Sequence, residues 1–336
     1  MLLVNYPGDW GHLYAPLEHA AWHGCTPTDL IFPTFLFVVG VSIALGMSRG
    51  TPSPAGRRGL LGKAWLRALR LVANGLLLHA LAMWAYDSAA FRPWGVLQRI
   101  GLCFGAAATA VLYLRPRGQW LCIVGLLLGY WALLVAGGSL EPWQNIASRV
   151  DAWMLGAHAY RFDAATGLGH DPEGLLATLP AIATTLLGVR VGVVLRERGT
   201  RGLLVFGFAA LALGGAWSLL LPWNKNLWTS SYAVWTAGWA TLLLALCHQL
   251  FDVRGWRPFG RSMGINAITA YAGSWVMACL LERFGVFGAI YRGVLQPTIG
   301  PLLGDKAASL VFAIAFVASW WLLMWAMAKR GIRISV

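Results

Sequence analysis

Nine runs of about 20 mainly apolar residues follow one another along this 336-residue chain, near 28 to 48, 68 to 86, 96 to 114, 119 to 137, 174 to 195, 202 to 221, 232 to 250, 262 to 281 and 307 to 328. A helix of that length crosses the roughly 30 Å of bilayer hydrocarbon, and only helices or closed barrels satisfy their backbones there. The chain is therefore expected to be an all-α, polytopic integral membrane bundle of nine complete transmembrane helices, forming one domain over residues 1–336. Met1 to Tyr6 (MLLVNY) is too short to span and reads as the end of a further helix truncated at its N-terminus. Composition agrees: 58% hydrophobic and 12% charged residues exclude an ordinary soluble enzyme.

The net charge of +13 would suggest a nucleic-acid partner on a soluble chain, but here the basic residues cluster between apolar runs and read as a bilayer face instead. Alternate loops divide the charges unevenly, eighteen Lys and Arg (Arg49 among them) with two acidic residues on one side, eight with eleven on the other. The positive-inside rule makes the +16 side cytoplasmic, the C-terminus with it, and the −3 side external. Trp94, Trp143, Trp153, Trp223, Trp228 and Trp256 fall at segment ends, as interfacial belts require. Five scattered cysteines support neither a disulfide framework nor a metal site.

The first external loop carries His12, His19 and His23, three of the seven histidines within residues 7 to 28. Histidine exchanges protons near neutral pH, so the concentration points to acid–base work as well as to ordinary loop polarity. His19 and His23 lack the Glu of an HExxH pattern, and no metal is expected. Thr26-Pro27-Thr28-Asp29 reads as a capping box with a ligand-binding role layered on Asp29, and Asp171-Pro172-Glu173-Gly174 as the start of another helix in the same style. Within or at the ends of spans lie Asn74, His79 and Asn266, candidates to line a pathway or to bond neighbouring helices, and Gln98 with Arg99, candidates for ligand contact, with Asp29 or Asp87 as alternative partners for the arginine. The loop holding Asn224, Lys225, Asn226, Trp228 and Tyr232 interleaves amides, a cation and aromatics, as a sugar-binding lip or an interfacial turn would.

The strings VNYPGDW, EHAAWHGCTPTDLIFPTFLFVVGVSIAL, GVLQRIGL, DPEGLL, NKNLWTSSY and GINAI, in that order over most of the chain, resemble the transmembrane heparan-alpha-glucosaminide N-acetyltransferases and their bacterial relatives. The resemblance implies acetyl transfer from cytoplasmic acetyl-CoA, as co-substrate, to the amine of a glucosamine-type acceptor across the bilayer. It implies that His19 and Asn5 are the catalytic pair. The SLDxxRG-like start expected before Asn5 and the large lumenal N-terminal region of the animal enzyme are missing, which favours a smaller amino sugar over heparan. A bacterial inner membrane is the expected location, and a homodimer is compatible with this reading. On the chemistry, His19 can take the amine's proton while Asn5 donates to the oxyanion or orients His19, or His19 can be acetylated first. The rival reading is a secondary transporter of a small polar metabolite such as an amino sugar, with the His/Asp cluster as a proton relay.

Overall fold

The computed structural model describes residues 1–46, 53–258 and 260–334. Arg49, counted above among the basic loop residues, lies outside them, as do the last residues of the first expected span. The short α1 (Leu2–Asn5) enters the first loop, and α2 (Ile31–Gly46), α3 (Pro54–Ala85), α4 (Val96–Tyr113) and α5 (Pro116–Ala136) follow. The next loop folds into α6 (Ile146–Leu155) and a hairpin of β1 (Arg161–Asp163) and β2 (Leu168–His170), antiparallel with Arg161 opposite His170. Then come α7 (Thr178–Trp217), α8 (Ser230–Cys247), α9 (Arg261–Ile265), α10 (Ala267–Arg283), α11 (Val286–Ile290), α12 (Gln296–Leu303) and α13 (Asp305–Lys329). The all-α class stands, and the chain is an integral membrane protein.

Among the described residues seven helices are long and apolar enough to cross a bilayer, or eight if α10 and the α11–α12 segment, bent by 80°, form one broken span. The expected count of nine is not reached on that measure. One missing span is α10, which counts only together with the α11–α12 segment, and the other lies in α7, counted as one helix although Gly199 inside it has φ 55° and ψ −150°. Leu187 on one side of Gly199 and Ala210 on the other line the same apolar cleft. A straight helix would hold them about 35 Å apart at 1.5 Å per residue, so α7 turns back on itself at Gly199, a conformation glycine adopts without steric cost.

Small residues bring these helices together, as they must where lipid offers no hydrophobic driving force for association. A side chain at Gly40 of α2 would collide with the Thr185 carbonyl of α7, and one at Gly188 with the Phe37 carbonyl of α2. Phe32, Leu36, Phe37 and Val41 of α2 thereby pack with Ala181, Leu187 and Val191 of α7, with Trp228 in the turn before α8, and with Tyr232 and Ala237 of α8 in one core. A second cluster joins Tyr6 to Ala270 and Ala278 of α10 and Phe316 and Trp320 of α13. The loop after α1 is fastened to α13: Gly8 N–H donates to the Ser309 carbonyl (3.3 Å), Asp9 N–H to Ser309 Oγ (3.0 Å), and the Ser309 hydroxyl to the Asp9 carbonyl (3.1 Å). Between these two clusters lies a cavity with α1, the first loop and the α2 start on its wall.

Candidate functional site

The chain from Glu18 to Ile31 makes a tight reversal that is held by one carboxylate. Asp29 is enclosed, 1% exposed. Its Oδ2 accepts from Thr26 N–H (3.0 Å) and Ala20 N–H (3.1 Å), and its Oδ1 lies 2.6 Å from His19 Nδ1. A carboxylate only accepts, so Nδ1 carries a proton toward it, and in the neutral ring Nε2 is the nitrogen with the lone pair. The Tyr232 hydroxyl donates to the Asp29 carbonyl (2.6 Å) and fixes the turn to α8. Half of the expected capping box is present: Asp29 returns its bond to Thr26 N–H, but the Thr26 hydroxyl donates to the Glu18 carbonyl (2.7 Å). Asp29 thus bonds His19 and the backbone of the turn while also lining the cavity.

His19 opens into a cavity of about 560 Å³, lined also by Asn5, Asp29, Lys225, Asn226 and Glu173 and walled by the aromatic rings of Trp10, Tyr86, Tyr160 and Trp275. Asn5 stands at the end of α1 and makes no side-chain hydrogen bond among the described residues, so its amide is free for a ligand. Lys225 Nζ lies 3.1 Å from His19 Nε2 and 3.2 Å from Nδ1. Near-equal distances place the amine beside the ring rather than along either lone pair, so its influence on His19 is electrostatic more than through one directed bond. Burial pushes the Lys225 ammonium below the usual lysine range, against the pull of the Glu173 and Asp29 carboxylates.

Glu173, on the cavity wall, is held by Arg92 and Asp171 behind it. Arg92 donates to both oxygens of Asp171 (2.9 and 2.5 Å) and to Glu173 Oε2 (2.6 Å), its guanidinium 4.8 Å from the Tyr160 ring centre. The DPEG string does not cap a helix as expected, since α7 begins only at Thr178 and Asp171 instead accepts from Tyr160 and Glu173 N–H and from Arg92. Burial works against the Glu173 charge, but Arg92 outweighs it and holds Glu173 below the ordinary glutamate range. Burial pushes nearby Asp151 up to about 7. A Cβ at Gly174 would collide with the Asp151 carboxyl, so only glycine lets the DPEG turn sit this close.

Several expected ligand contacts are corrected by this packing. Arg99 is enclosed behind the turn, donating to the Gly174 carbonyl (3.1 Å) with its guanidinium 5.1 Å from the Trp228 ring centre, and pairs with neither Asp29 nor Asp87. Gln98 donates to the Pro93 carbonyl (3.2 Å) and is equally enclosed. Of the lip, Lys225 and Asn226 face the cavity, whereas Asn224, Trp228 and Tyr232 turn into the core. Asn224 Oδ1 accepts from Leu227 N–H (2.8 Å), and the Trp228 indole donates to Thr184 Oγ1 (3.1 Å), so Trp228 is no interfacial anchor. The pathway candidates are also occupied elsewhere. Asn74 donates to the Arg70 carbonyl of its own helix, His79 Nδ1 to the Arg92 carbonyl (2.6 Å), and Asn266 binds the backbone of Ile332 and Ile334, fastening the segment after α13. None of the three lines the main cavity.

The turn bond makes a prediction. Asn224→Ala leaves the enclosed Leu227 N–H without its acceptor, a cost of about 1–3 kcal/mol, so the variant should melt several degrees below wild type in differential scanning fluorimetry. An unchanged melting temperature with impaired ligand binding would return Asn224 to the ligand.

The geometry can be set beside known proteins. The catalytic-domain model of heparan-alpha-glucosaminide N-acetyltransferase matches residues 10–224. The human protein of that name is 30% identical over 338 residues, covering 81% of this chain and 50% of its own length, and the mouse protein is 29% identical over 342 residues, covering 82% and 51%. The chain thus spans about half the length of the curated relatives it matches. The matched region holds His19, Asp29, Arg92, Asp171, Glu173 and Asn224, and ends just before Lys225.

Proposed function

We propose, since the chain belongs to the heparan-alpha-glucosaminide N-acetyltransferase catalytic family, that it transfers the acetyl group of acetyl-CoA to the amine of a glucosamine-type sugar. The observation that carries this reading is the Asp29–His19 pair opening, through Nε2, into the cavity that Asn5 and Lys225 also line. The acceptor amine forms its bond to the thioester carbonyl carbon as the C–S bond breaks. Its proton passes to His19 Nε2 and from there to the departing thiolate, giving an amide and free CoA. Asp29 holds the ring in the required tautomer and stabilises it when protonated, and the free amide of Asn5 is suited to the oxygen that turns anionic. Aromatic walls suit the apolar face of a pyranose.

A second cavity of about 320 Å³ shares Met1, Phe32 and Val96 with the first and continues past Ser42, Tyr271 and Gly264 to Arg67. That continuity supports a path for the donor's pantetheine arm from the Arg-rich end of the bundle to His19. On this reading the Arg-rich end and the C-terminus face the cytoplasm of a bacterial cell and the acceptor is served from outside the inner membrane. The transporter alternative loses its support, because the three residues it needed along a pathway are engaged in other bonds.

Purified protein in oriented proteoliposomes tests the reading. With acetyl-CoA at the Arg-rich face and glucosamine sealed on the other, labelled N-acetylglucosamine should accumulate on the acceptor side, and CoA should be released only when glucosamine is present. Movement of labelled glucosamine without acetylation would replace the enzyme by a transporter. Product formed with both substrates confined to the Arg-rich face would overturn the sidedness.

A further inference from the structure

Glu173 is the one acidic side chain of the main cavity with an uncommitted oxygen. Its Oε2 is taken by Arg92, whereas Oε1 has no hydrogen-bond partner and is not sealed among the enclosed polar atoms, so that oxygen opens to the cavity its residue lines. Asp29, by contrast, spends both oxygens on His19 and on the backbone of Ala20 and Thr26.

The surroundings fix Glu173 from four directions. Arg92 clamps it and is itself oriented by two bonds to Asp171. Asp171 also accepts from Glu173 N–H (3.0 Å), which sets the direction in which the side chain leaves the backbone. Arg99 holds the next carbonyl, that of Gly174, from behind (3.1 Å). The Asp151 carboxyl fills the space beside Gly174 and accepts from Leu175 N–H (2.9 Å). Such buried ionic networks are costly in a bilayer protein unless they do something besides fold it. Arg92 is paired by Asp171, and Glu173 also offsets the enclosed charge of Arg99, yet its Oε1 makes no bond to either cation. The Glu173 and Asp29 charges act together on Lys225, whose alkylammonium stands beside His19. An alkylammonium is thus already accommodated in the same field.

We propose that Glu173 Oε1 is the recognition point for the acceptor's ammonium and is what makes the cavity prefer the free amine to its N-acetylated product. This rests on the acetyl-transfer reading and deepens it. The contact does two things in sequence. A charged hydrogen bond to a carboxylate that is itself only 10% exposed binds the ammonium firmly. Once the nitrogen has become an amide, its charge is gone and only one N–H remains to donate, so the product is held more weakly and leaves. Glu173 here positions and selects. The bound ammonium first gives one proton through His19 to bulk water, the free amine then attacks, and its next proton passes through His19 to the departing thiolate, so amide, free CoA and one proton leave. The described residues include no set of three metal-ligating side chains that would claim this carboxylate for a cation.

The test compares binding of glucosamine with that of N-acetylglucosamine, by isothermal titration calorimetry on detergent-solubilised full chain, alongside steady-state acetylation. Wild type should bind glucosamine on the order of tenfold to a hundredfold more tightly than N-acetylglucosamine, the range expected of one charged hydrogen bond. Glu173→Gln keeps the shape and the hydrogen-bonding reach toward Arg92. It should bring the two affinities to within about threefold by weakening glucosamine alone, raise KM for glucosamine by a similar factor, and leave KM for acetyl-CoA within about twofold. Glu173→Asp should keep part of the preference for the amine. A structural lesion would instead weaken both sugars and the donor together and would overturn the proposal. So would a Glu173→Gln protein that acetylates glucosamine with an unchanged affinity ratio, and so would wild type that binds both sugars equally, a comparison that needs no variant. A wild type that acetylates nothing would overturn the transfer reading itself and this inference with it.

Discussion

His19→Ala is expected to reduce acetyl transfer by about 10² to 10⁴-fold, the usual contribution of a positioned acid–base group, while expression and melting temperature stay close to wild type. The structure explains both halves of that result. Nε2 is the proton acceptor that the Asp29–His19 pair presents to the cavity, and Glu173, whose free oxygen opens there too, is held below the ordinary glutamate range and is too weak a base to replace it. The ring itself is 47% exposed, so its removal opens little core. His12→Ala is the matched control, because His12 Nδ1 lies 2.9 Å from Asp9 and Nε2 3.8 Å from Asp305, away from the main cavity. Single-turnover transfer of labelled acetyl groups, measured on both variants, checks the pair. Equal transfer by His19→Ala and wild type would remove His19 from the chemistry. A trapped acetyl-histidine in wild type would favour the two-step route over direct attack.

The second large effect is expected at Asp29, which a sequence reading would treat as a helix cap. Asp29→Asn preserves the shape but replaces one acceptor oxygen by an NH₂ donor. If that group faces His19, it meets the protonated Nδ1 and forces the other tautomer, which puts the proton on Nε2 where the base must be free. If it faces the loop, it meets the Thr26 and Ala20 N–H groups. Either arrangement leaves donors opposed. The expected outcome is a fall in kcat of about 10² to 10⁴-fold, as for other buried carboxylates that orient a catalytic imidazole, together with about 1–3 kcal/mol of lost stability. KM for acetyl-CoA should change little. Thermal melting separates the two contributions, since a turnover loss far larger than the stability loss can explain is the mark of the tautomer. A kcat within a few-fold of wild type would show that Asp29 serves the fold alone.

How much of the site was legible depended on how local its parts were. His19 and Asn5 came from a string that matched a family, and Asp29 stood in the same string, but the bond between Asp29 and His19 spans ten residues of irregular loop whose course no periodicity announces. Asp171 and Glu173 also lay in a matched string, yet their purpose depends on Arg92, 79 residues earlier in a connection with no motif of its own. The aromatic walls were sought at Trp228 and Tyr232, next to the polar lip. They are instead Trp10, Tyr86, Tyr160 and Trp275, drawn from four separate segments. Within the lip itself the residue types were informative and their directions were not: Lys225 and Asn226 face the cavity while Asn224 between His23 and Leu227 faces the turn. Nothing in the order of side chains distinguishes these neighbours, because a non-helical turn has no fixed period.

The sequence by itself determined the solvent and the class of fold. Runs of apolar residues long enough to cross hydrocarbon leave the backbone no choice but to close its own hydrogen bonds, so helices and their approximate limits follow from composition along the chain. The tertiary structure alone set Gly40 against the Thr185 carbonyl and Gly188 against that of Phe37. Only the tertiary structure decided that residues 178–217 turn back at Gly199, that Arg99 is sealed behind the DPEG turn, and that Glu173 turns an oxygen toward the cavity His19 lines. The physical reason is the same in each case. A hydrocarbon surroundings rewards any arrangement that buries polar groups against one another, and many pairings meet that demand equally well until the packing of whole helices selects one.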